Sequence, residues 1–407
     1  MRGVLRGWLP GLLGGTVFAV CMSGTTVPTP LYGLYREKFG FSELTVTVVF
    51  AVYAAGVIAM LLLAGNASDA VGRRPVLLWG LGFAAVSAAC FLGANALGWL
   101  YAGRLLSGLS AGLFTGAASA YVIELAPRGS SAATLVATAA TMGGLGCGPL
   151  LAGVLAQYAD WPLYLPFAAH LALLACSALV LLALPETVRD RRPLRTVRPR
   201  RPSLPPSVRA VFGPAALASF AGFALLGVFT SVSPAFLSGS LDVHNLALVG
   251  LLVALAFFAS TAGQWAAGPI GLARSLPVGC AVLLVGLALL AGALHWDLLA
   301  LMVLSALIGG AGQGMSFRGA LAAVADAADP EHRAAVISAL FVVAYLGISV
   351  PVIGVGLLVS PIGLESAGLV FIACMVLLVA VAGLYLLRHP VAPPAAERHD
   401  RVGSGER

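Results

Sequence analysis

The stretch GNASDAVGRRP, residues 65–75, is a polar interruption between two long apolar runs of the chain. It is barely long enough to reverse the direction of the chain, and Gly72 permits the positive φ that a tight turn needs. Asp69, Arg73 and Arg74 can cap helix ends or pair with opposite charges. The pattern predicts a short charged loop that joins two antiparallel helices.

Apolar runs of this kind continue along the whole chain. The 407 residues are 60% hydrophobic and 10% charged, with a mean hydropathy of +0.98, whereas soluble domains carry about 25% charged residues. A membrane-spanning helix needs about 20 apolar residues, and the sequence predicts twelve such spans. They lie near 10–34, 44–64, 75–95, 98–122, 132–157, 162–184, 213–237, 246–267, 277–294, 298–322, 333–357 and 364–387. The composition therefore predicts an all-α integral membrane protein with twelve transmembrane helices.

Positive charge is distributed unevenly over the predicted loops. Nineteen of the 23 lysines and arginines fall on the face that holds both termini, two on the opposite face and two inside spans. Because cytoplasmic loops carry the excess of lysine and arginine, we expect both termini in the cytoplasm and a multi-pass protein of the plasma (cytoplasmic) membrane. The net charge of +7 comes from this asymmetry, so the expected partner is the lipid bilayer and not nucleic acid.

A half-chain repeat predicts the domain organisation. GAASAYVIELAP (116–127) and GALAAVADAADP (319–330) share Gly, Ala, Ala and Pro at the same places, 203 residues apart, and Gly65 and Gly268 have the same offset. Parallel repeats of this kind are typical of secondary transporters. We expect two pseudo-symmetric six-helix halves, at 1–185 and 213–389. A basic cytoplasmic linker at 186–212 joins them, and a disordered cytoplasmic tail follows at 390–407.

The opening loop resembles the signature of the major facilitator superfamily, G-x-x-x-D-x-x-G-R-[KR]. Every fixed place is filled, by Gly65, Asp69, Gly72, Arg73 and Arg74. The resemblance covers the whole chain and implies that the loop is a conformational latch between the two halves. It also implies that Asp69 pairs with a helix start across the domain interface, and that Arg73 contacts Glu124 at the end of the fourth span. The second-half counterpart, 268–277, has no acid, so a one-sided latch is expected.

Two further stretches resemble the 12-span drug–proton antiporter branch of that superfamily. In the fourth span, Arg104, Gly108 and Gly112 match R-x-x-x-G-x-x-x-G and share one helix face. In the fifth span, GLGCGPLLAG (144–153) matches most of G-x-x-x-G-P-x-x-G-G, with Ala152 at one glycine place. The resemblance implies an antiporter hinge made by Gly144, Gly148, Pro149 and Gly153. The structural alternatives are an Arg104 that snorkels to the surface and glycines that serve general helix packing.

Proton antiport requires a side chain that carries the proton, and none of the sixteen acids lies clearly mid-membrane. The ionisable residues inside the spans are instead Arg104, Arg318 and His170. We expect the two arginines to couple protons or substrate and to make the cavity electropositive. The alternative for Arg318 is a structural ion pair with Asp326 or Glu124. His170 fits a proton carrier or a packing histidine bonded to a backbone carbonyl.

The superfamily resemblance places spans 1, 4, 7 and 10 around a central cavity. Aromatic bodies with a few polar groups on these spans suit a drug-sized amphiphile. The predicted lining consists of Thr25, Thr26, Thr29, Tyr32, Phe114, Phe223, Phe229, Thr230, Gln313 and Phe317.

Together these patterns predict a secondary active transporter that exports small hydrophobic or amphiphilic molecules by proton antiport with alternating access. The sequence has no nucleotide-binding glycine loop, metal-ligand cluster or Ser–His–Asp set. We therefore expect no enzyme activity, no metal and no cofactor, and a proton gradient as the energy source. The alternatives are an importer or a specific organic-anion or sugar transporter of the same superfamily, and a non-transporting receptor or scaffold. The expected form is a monomer whose partners are a small-molecule substrate and protons.

Overall fold

The computed structural model describes residues 2–127, 132–197, 204–239 and 241–389. Within these residues, eleven helical segments are long and apolar enough to cross a membrane. The last of them, Pro330–Arg388, contains Gly363 in a non-helical conformation with φ of 82°, so it comprises two helices. The predicted all-α membrane fold with twelve spans is confirmed.

The helices are numbered in chain order. Before residue 200 they are α1 (Arg2–Gly24), α2 (Tyr32–Phe39), α3 (Glu43–Ala64), α4 (Ala67–Val71), α5 (Arg73–Leu92), α6 (Leu97–Leu125), α7 (Ala132–Thr138), α8 (Gly144–Tyr158) and α9 (Leu165–Ala183). A π-helical stretch, Ala139–Gly143, joins α7 to α8. After residue 204 they are α10 (Arg209–Ser231), α11 (Ser233–Gly239), α12 (Leu246–Ile270), α13 (Leu272–Trp296), α14 (Leu299–Ala327) and α15 (Pro330–Arg388).

The first predicted span is not one continuous helix. Helix α1 ends at Gly24, and a turn at residues 25–28 leads into a 3-10 turn, Thr29–Leu31, before α2. We call residues 25–28 the α1 break. Proline has no amide hydrogen and cannot continue the helical ladder, so Pro28 and Pro30 account for the interruption. Carbonyl groups released by such a break inside a membrane protein need donors from neighbouring helices.

The opening loop folds as the short helix α4 followed by Gly72, whose φ is 118°. Residues other than glycine are strained at this φ, so the turn requires Gly72. In the second half, Gly271 with φ of 90° occupies the same place before α13. The fourth and tenth spans, α6 and α14, are both 29 residues long, as the half-chain repeat leads us to expect.

Close packing divides the chain into two compact units. Unit 1 comprises Met1–Arg200 and Thr230–Phe257, and unit 2 comprises Arg201–Phe229 and Phe258–Arg407. In unit 1, α6 packs against α1, α3 and α5, and in unit 2, α13 packs against α14. The predicted halves and linker stay a prediction. The predicted tail, 390–407, and residues 198–203 of the linker lie outside the described residues.

Candidate functional site

Arg104 of α6 holds the α1 break. Its side chain is 1% exposed, and Nη1 donates to the Thr25 carbonyl at 2.5 Å while Nη2 donates to the Phe50 carbonyl at 3.2 Å. The guanidinium carbon lies 4.7 Å from the Tyr53 ring centroid and 5.3 Å from that of Phe50. Charged donors form strong bonds to carbonyls, and the aromatic faces stabilise the cation. The snorkelling alternative for Arg104 requires an exposed guanidinium, so this geometry contradicts it.

The glycine–proline segment of α8 packs against the α1 break from another side. Thr26 Oγ1 donates to the Leu145 carbonyl of α8 at 2.7 Å. A Cβ added at Gly148 would overlap the Ser23 carbonyl and Thr26 Oγ1, and one added at Gly144 would overlap the backbone of α1. Both glycines are therefore needed for the close approach of α8 to α1.

The other end of this segment packs against the start of α12, within unit 1. A Cβ added at Gly153 would overlap the Leu246 carbonyl, and one added at Gly250 would overlap the Pro149 carbonyl. The four residues of the predicted hinge thus belong to two tight helix contacts. The antiporter role of this segment stays a prediction.

His170 of α9 lies against the α1 break on a further side. It is 2% exposed, and neither Nδ1 nor Nε2 has a hydrogen-bond partner among the described residues. Its Nε2 faces Gly24, where an added Cβ would overlap the ring. The carbonyl partner expected for a packing histidine is therefore missing from the described part of the chain.

At the opening loop, Arg73 joins the α4–α5 turn to the end of α6. Its Nη2 donates to Glu124 Oε1 at 3.0 Å, and its Nη1 donates to Asp69 Oδ1 at 2.5 Å and to Ser68 Oγ at 2.7 Å. The Arg73 side chain is 11% exposed, so water screens these bonds only in part. The predicted contact between Arg73 and Glu124 is present. The latch function of Asp69 across a domain interface stays a prediction.

Glu186, in the LPET segment after α9, has a role that the sequence motifs did not reveal. Its Oε1 accepts from the backbone amide of Arg73 at 3.0 Å, and its Oε2 accepts from that of Arg74 at 3.1 Å. These are the first amides of α5, which have no partner inside the helix, and the carboxylate also faces the positive end of the helix dipole. Arg74 Nη2 donates in return to the Leu182 carbonyl at the end of α9, at 2.6 Å. Glu186 therefore fastens the start of α5 to the end of α9.

We expect Glu186→Ala to lower the thermal stability of the purified protein. Loss of a side-chain cap costs about 1 kcal/mol, and the Glu186 side chain is only 8% exposed, so water replaces it poorly. The Tm in detergent measures this loss. Glu186→Gln keeps one acceptor oxygen, so its Tm should lie between those of the wild type and Glu186→Ala. The control is Asp160→Ala, an exposed acid in the connection between α8 and α9. Equal Tm values for Glu186→Ala and the wild type would contradict the capping role.

In unit 2, three residues of the predicted cavity lining lie in one region of the fold. The Phe223 and Phe317 rings form an edge contact with centroids 5.0 Å apart. Gln313 is fully buried and accepts from Ser260 Oγ at 2.6 Å, while its Nε2 has no partner among the described residues. Arg318 donates from Nη1 to the Gln264 carbonyl. This region combines aromatic surface with a buried amide nitrogen that no described residue satisfies.

The remaining predicted lining residues are distributed over several environments. Thr25, Thr26 and Thr29 are buried at or next to the α1 break. Phe229 and Thr230 are buried near the end of α10. The Phe114 ring packs on Gly80 of α5 and lies 6.1 Å from the Phe18 ring, inside the helix packing of unit 1, and its place in a cavity lining stays a prediction.

Tyr32 lines a cavity of about 350 Å³ in unit 1. Polar residues around this cavity include Gln157, His244 and the ion pair that Arg36 forms with Glu43. Pockets for drug-sized ligands have volumes of about 300–1,000 Å³. The cavity is therefore large enough for a small amphiphile.

Comparisons with known proteins agree with this architecture. The chain matches the family model described as Major Facilitator Superfamily over residues 12–350 and 241–404. It is 35% identical over 184 residues to the puromycin resistance protein pur8 of Streptomyces alboniger, covering 44% of this chain and 35% of that protein. It is 33% identical over 135 residues to the class D tetracycline resistance protein of Salmonella ordonez, covering 33% of each chain. The chain thus spans about a third of the length of these curated relatives.

Among solved structures, the fold is similar to that of a POT family transporter in complex with a thioalcohol-conjugated peptide. The TM-score is 0.74 with 12% sequence identity, over 94% of this chain and 96% of that one. Identity at this level shows a common fold and nothing about substrate.

Proposed function

Because the chain belongs to the Major Facilitator Superfamily, we propose that it exports small hydrophobic or amphiphilic molecules in exchange for protons. The protein is a multi-pass membrane transporter and not an enzyme. Export and proton antiport are the proposed parts. The observation that carries them is the α1 break, which is hydrogen-bonded by Arg104 of α6 and closely packed against the glycine–proline segment of α8.

These contacts at the α1 break support a transport cycle because a broken helix can change its conformation at the break, whereas a continuous helix cannot. Alternating access in transporters with internal repeats uses such discontinuous helices, with polar backbone lining the central region. The bonds from Arg104 to Thr25 and Phe50 end on carbonyl oxygens, so they leave its positive charge in place. A positive charge at this depth favours a neutral or anionic amphiphile over a lipophilic cation.

The names of the two resistance proteins support a drug-like substrate. The proposed energy source is the proton gradient, without a cofactor. The proposed location is the plasma membrane, with both termini in the cytoplasm and the chain acting as a monomer.

Flux in membrane vesicles of defined orientation tests this proposal. Inside-out vesicles that contain the protein should accumulate puromycin or tetracycline when an acid-inside gradient is imposed, and a protonophore should abolish the accumulation. Ethidium and fluorescein, a cation and an anion, test the expected charge preference. Vesicles without the protein are the control. Absence of gradient-driven accumulation of every compound would refute the antiport of drugs.

A second candidate is an importer or a transporter dedicated to one metabolite, such as an organic anion. The arginines inside spans favour it, since Arg104 and Arg318 both donate to carbonyls and retain their charge for an anionic ligand. Accumulation in right-side-out vesicles with an acid exterior would favour this candidate over export.

A further inference from the structure

The least explained polar group in unit 1 is the imidazole of His170. It is 2% exposed, and its two ring nitrogens have no hydrogen-bond partner among the described residues. Burying a polar group without a partner costs free energy, so such groups are rare in native proteins. Stability alone therefore does not explain a histidine at this position.

A small cavity adjoins the ring and is lined by hydroxyl groups. Its volume is about 10 Å³, which is room for about one water molecule. The hydroxyls of Thr25, Ser87, Ser107 and Ser110 line it, and each donates to a backbone carbonyl at 2.7–2.9 Å. A hydroxyl that donates once still has lone pairs that can accept. The cavity can therefore solvate an added N–H of the ring through a water molecule.

The charged and titratable groups around His170 come from few sources. Cys21 of α1 is a titratable group that lines the small cavity together with His170. The residues of α5 and α6 in this lining have hydroxyl or apolar side chains. Helix α8, which also packs against α9, carries no acidic or basic residue. Arg104 is the charged group held at the same break, where its Nη1 binds the Thr25 carbonyl.

We propose that His170 is the residue that binds and releases the proton in transport, an inference that rests on the proposed antiport. The proton passes from hydronium to the lone pair of the unprotonated ring nitrogen, so that one O–H bond breaks as the N–H bond forms, and on release it returns from the same nitrogen to water. His170 touches Gly24, and Arg104 binds the next residue, Thr25. Imidazolium and guanidinium then repel each other across the α1 break, which weakens the hold of Arg104 on Thr25. Protonation is coupled in this way to movement of the break.

Two transport modes in proteoliposomes separate proton coupling from substrate movement. The full-length protein is assayed for tetracycline accumulation driven by a pH gradient and for tetracycline counterflow without one. We expect His170→Gln to lower gradient-driven accumulation by about 10-fold or more relative to the wild type, while its counterflow rate stays within about threefold of the wild-type rate.

The control is His332→Gln, an exposed histidine at the start of α15, which should behave as the wild type in both modes. Retention by His170→Gln of driven accumulation with an unchanged pH profile would overturn the inference and leave the proposed antiport intact. Wild-type counterflow without any response to the gradient would overturn both. Loss of both modes by a variant that elutes normally in size-exclusion chromatography would show that His170 serves substrate movement and not proton coupling.

Discussion

Arg104→Ala is expected to lower transport at least ~10-fold while the protein still inserts in the membrane. The substitution removes two charged hydrogen bonds, to the Thr25 and Phe50 carbonyls, and bonds of this kind contribute about 1.5–3 kcal/mol each. It also removes the cation that stacks on the Tyr53 and Phe50 rings. The α1 break then loses the donor that holds it to α6. The free-energy difference between the two states of alternating access changes as a result, and transport slows.

Arg104→Lys tests whether charge alone is sufficient. An ammonium group is a compact point charge, and it lacks the planar fork that reaches two carbonyls while it stacks on rings. We therefore expect the lysine variant to resemble Arg104→Ala in initial rates of gradient-driven uptake. The control is Arg388→Ala, an exposed arginine at the end of α15. Wild-type rates for Arg104→Lys would show that the bidentate geometry is unimportant.

Gly108→Ala is expected to destabilise the protein, because α3 and α6 meet at this residue. A Cβ at Gly108 would overlap the Tyr53 carbonyl, and one at Gly56 of the facing helix would lie 2.6 Å from the Leu105 carbonyl. The two backbones must therefore separate to admit one methyl group. Overpacking of this kind costs about 1–3 kcal/mol, and the expected results are a lower Tm and a lower yield of folded protein.

Gly116→Ala is the matched control on the same helix. Gly116 is exposed, and an added Cβ would meet no atom within 4 Å. Alanine is a better helix former than glycine by about 1 kcal/mol, so this variant should be as stable as the wild type or more stable. The contact between α3 and α6 would be wrongly described if the two alanine variants melted at the same temperature.

Sequence reasoning predicted the membrane fold well because the bilayer constrains it strongly. Backbone groups in hydrocarbon must be satisfied inside the chain, so long apolar runs become helices. The location of the opening loop followed from charge between two apolar runs, and the family resemblance, with an acid at the end of the fourth span, implied the contact of Arg73 with Glu124. The glycine that the turn requires in the second half, Gly271, was not predicted, because the 203-residue offset of the repeat leads from Gly72 to Ser275.

The candidate site was predicted less completely. Arg104 was identified because a charge inside a span is conspicuous, but its partners are backbone carbonyls, which every residue has. The capping role of Glu186 depends on the meeting of the start of α5 with the end of α9, and Arg73 and Glu186 lie 113 positions apart in the chain. A carboxylate directly after a span was the available signal.

The sequence by itself determined that the chain lies in a lipid bilayer, the number of its spans and the position of the charged loop, because these follow from local composition and from spacing along one helix. The motif in that loop carried the resemblance to the family. Only the tertiary structure decided how the α1 break is held, where Phe114 packs and that His170 has no hydrogen-bond partner among the described residues. These facts depend on the rotation of each helix and on which neighbours approach it. Such contacts join residues far apart in the chain, and hydropathy within one span does not encode them.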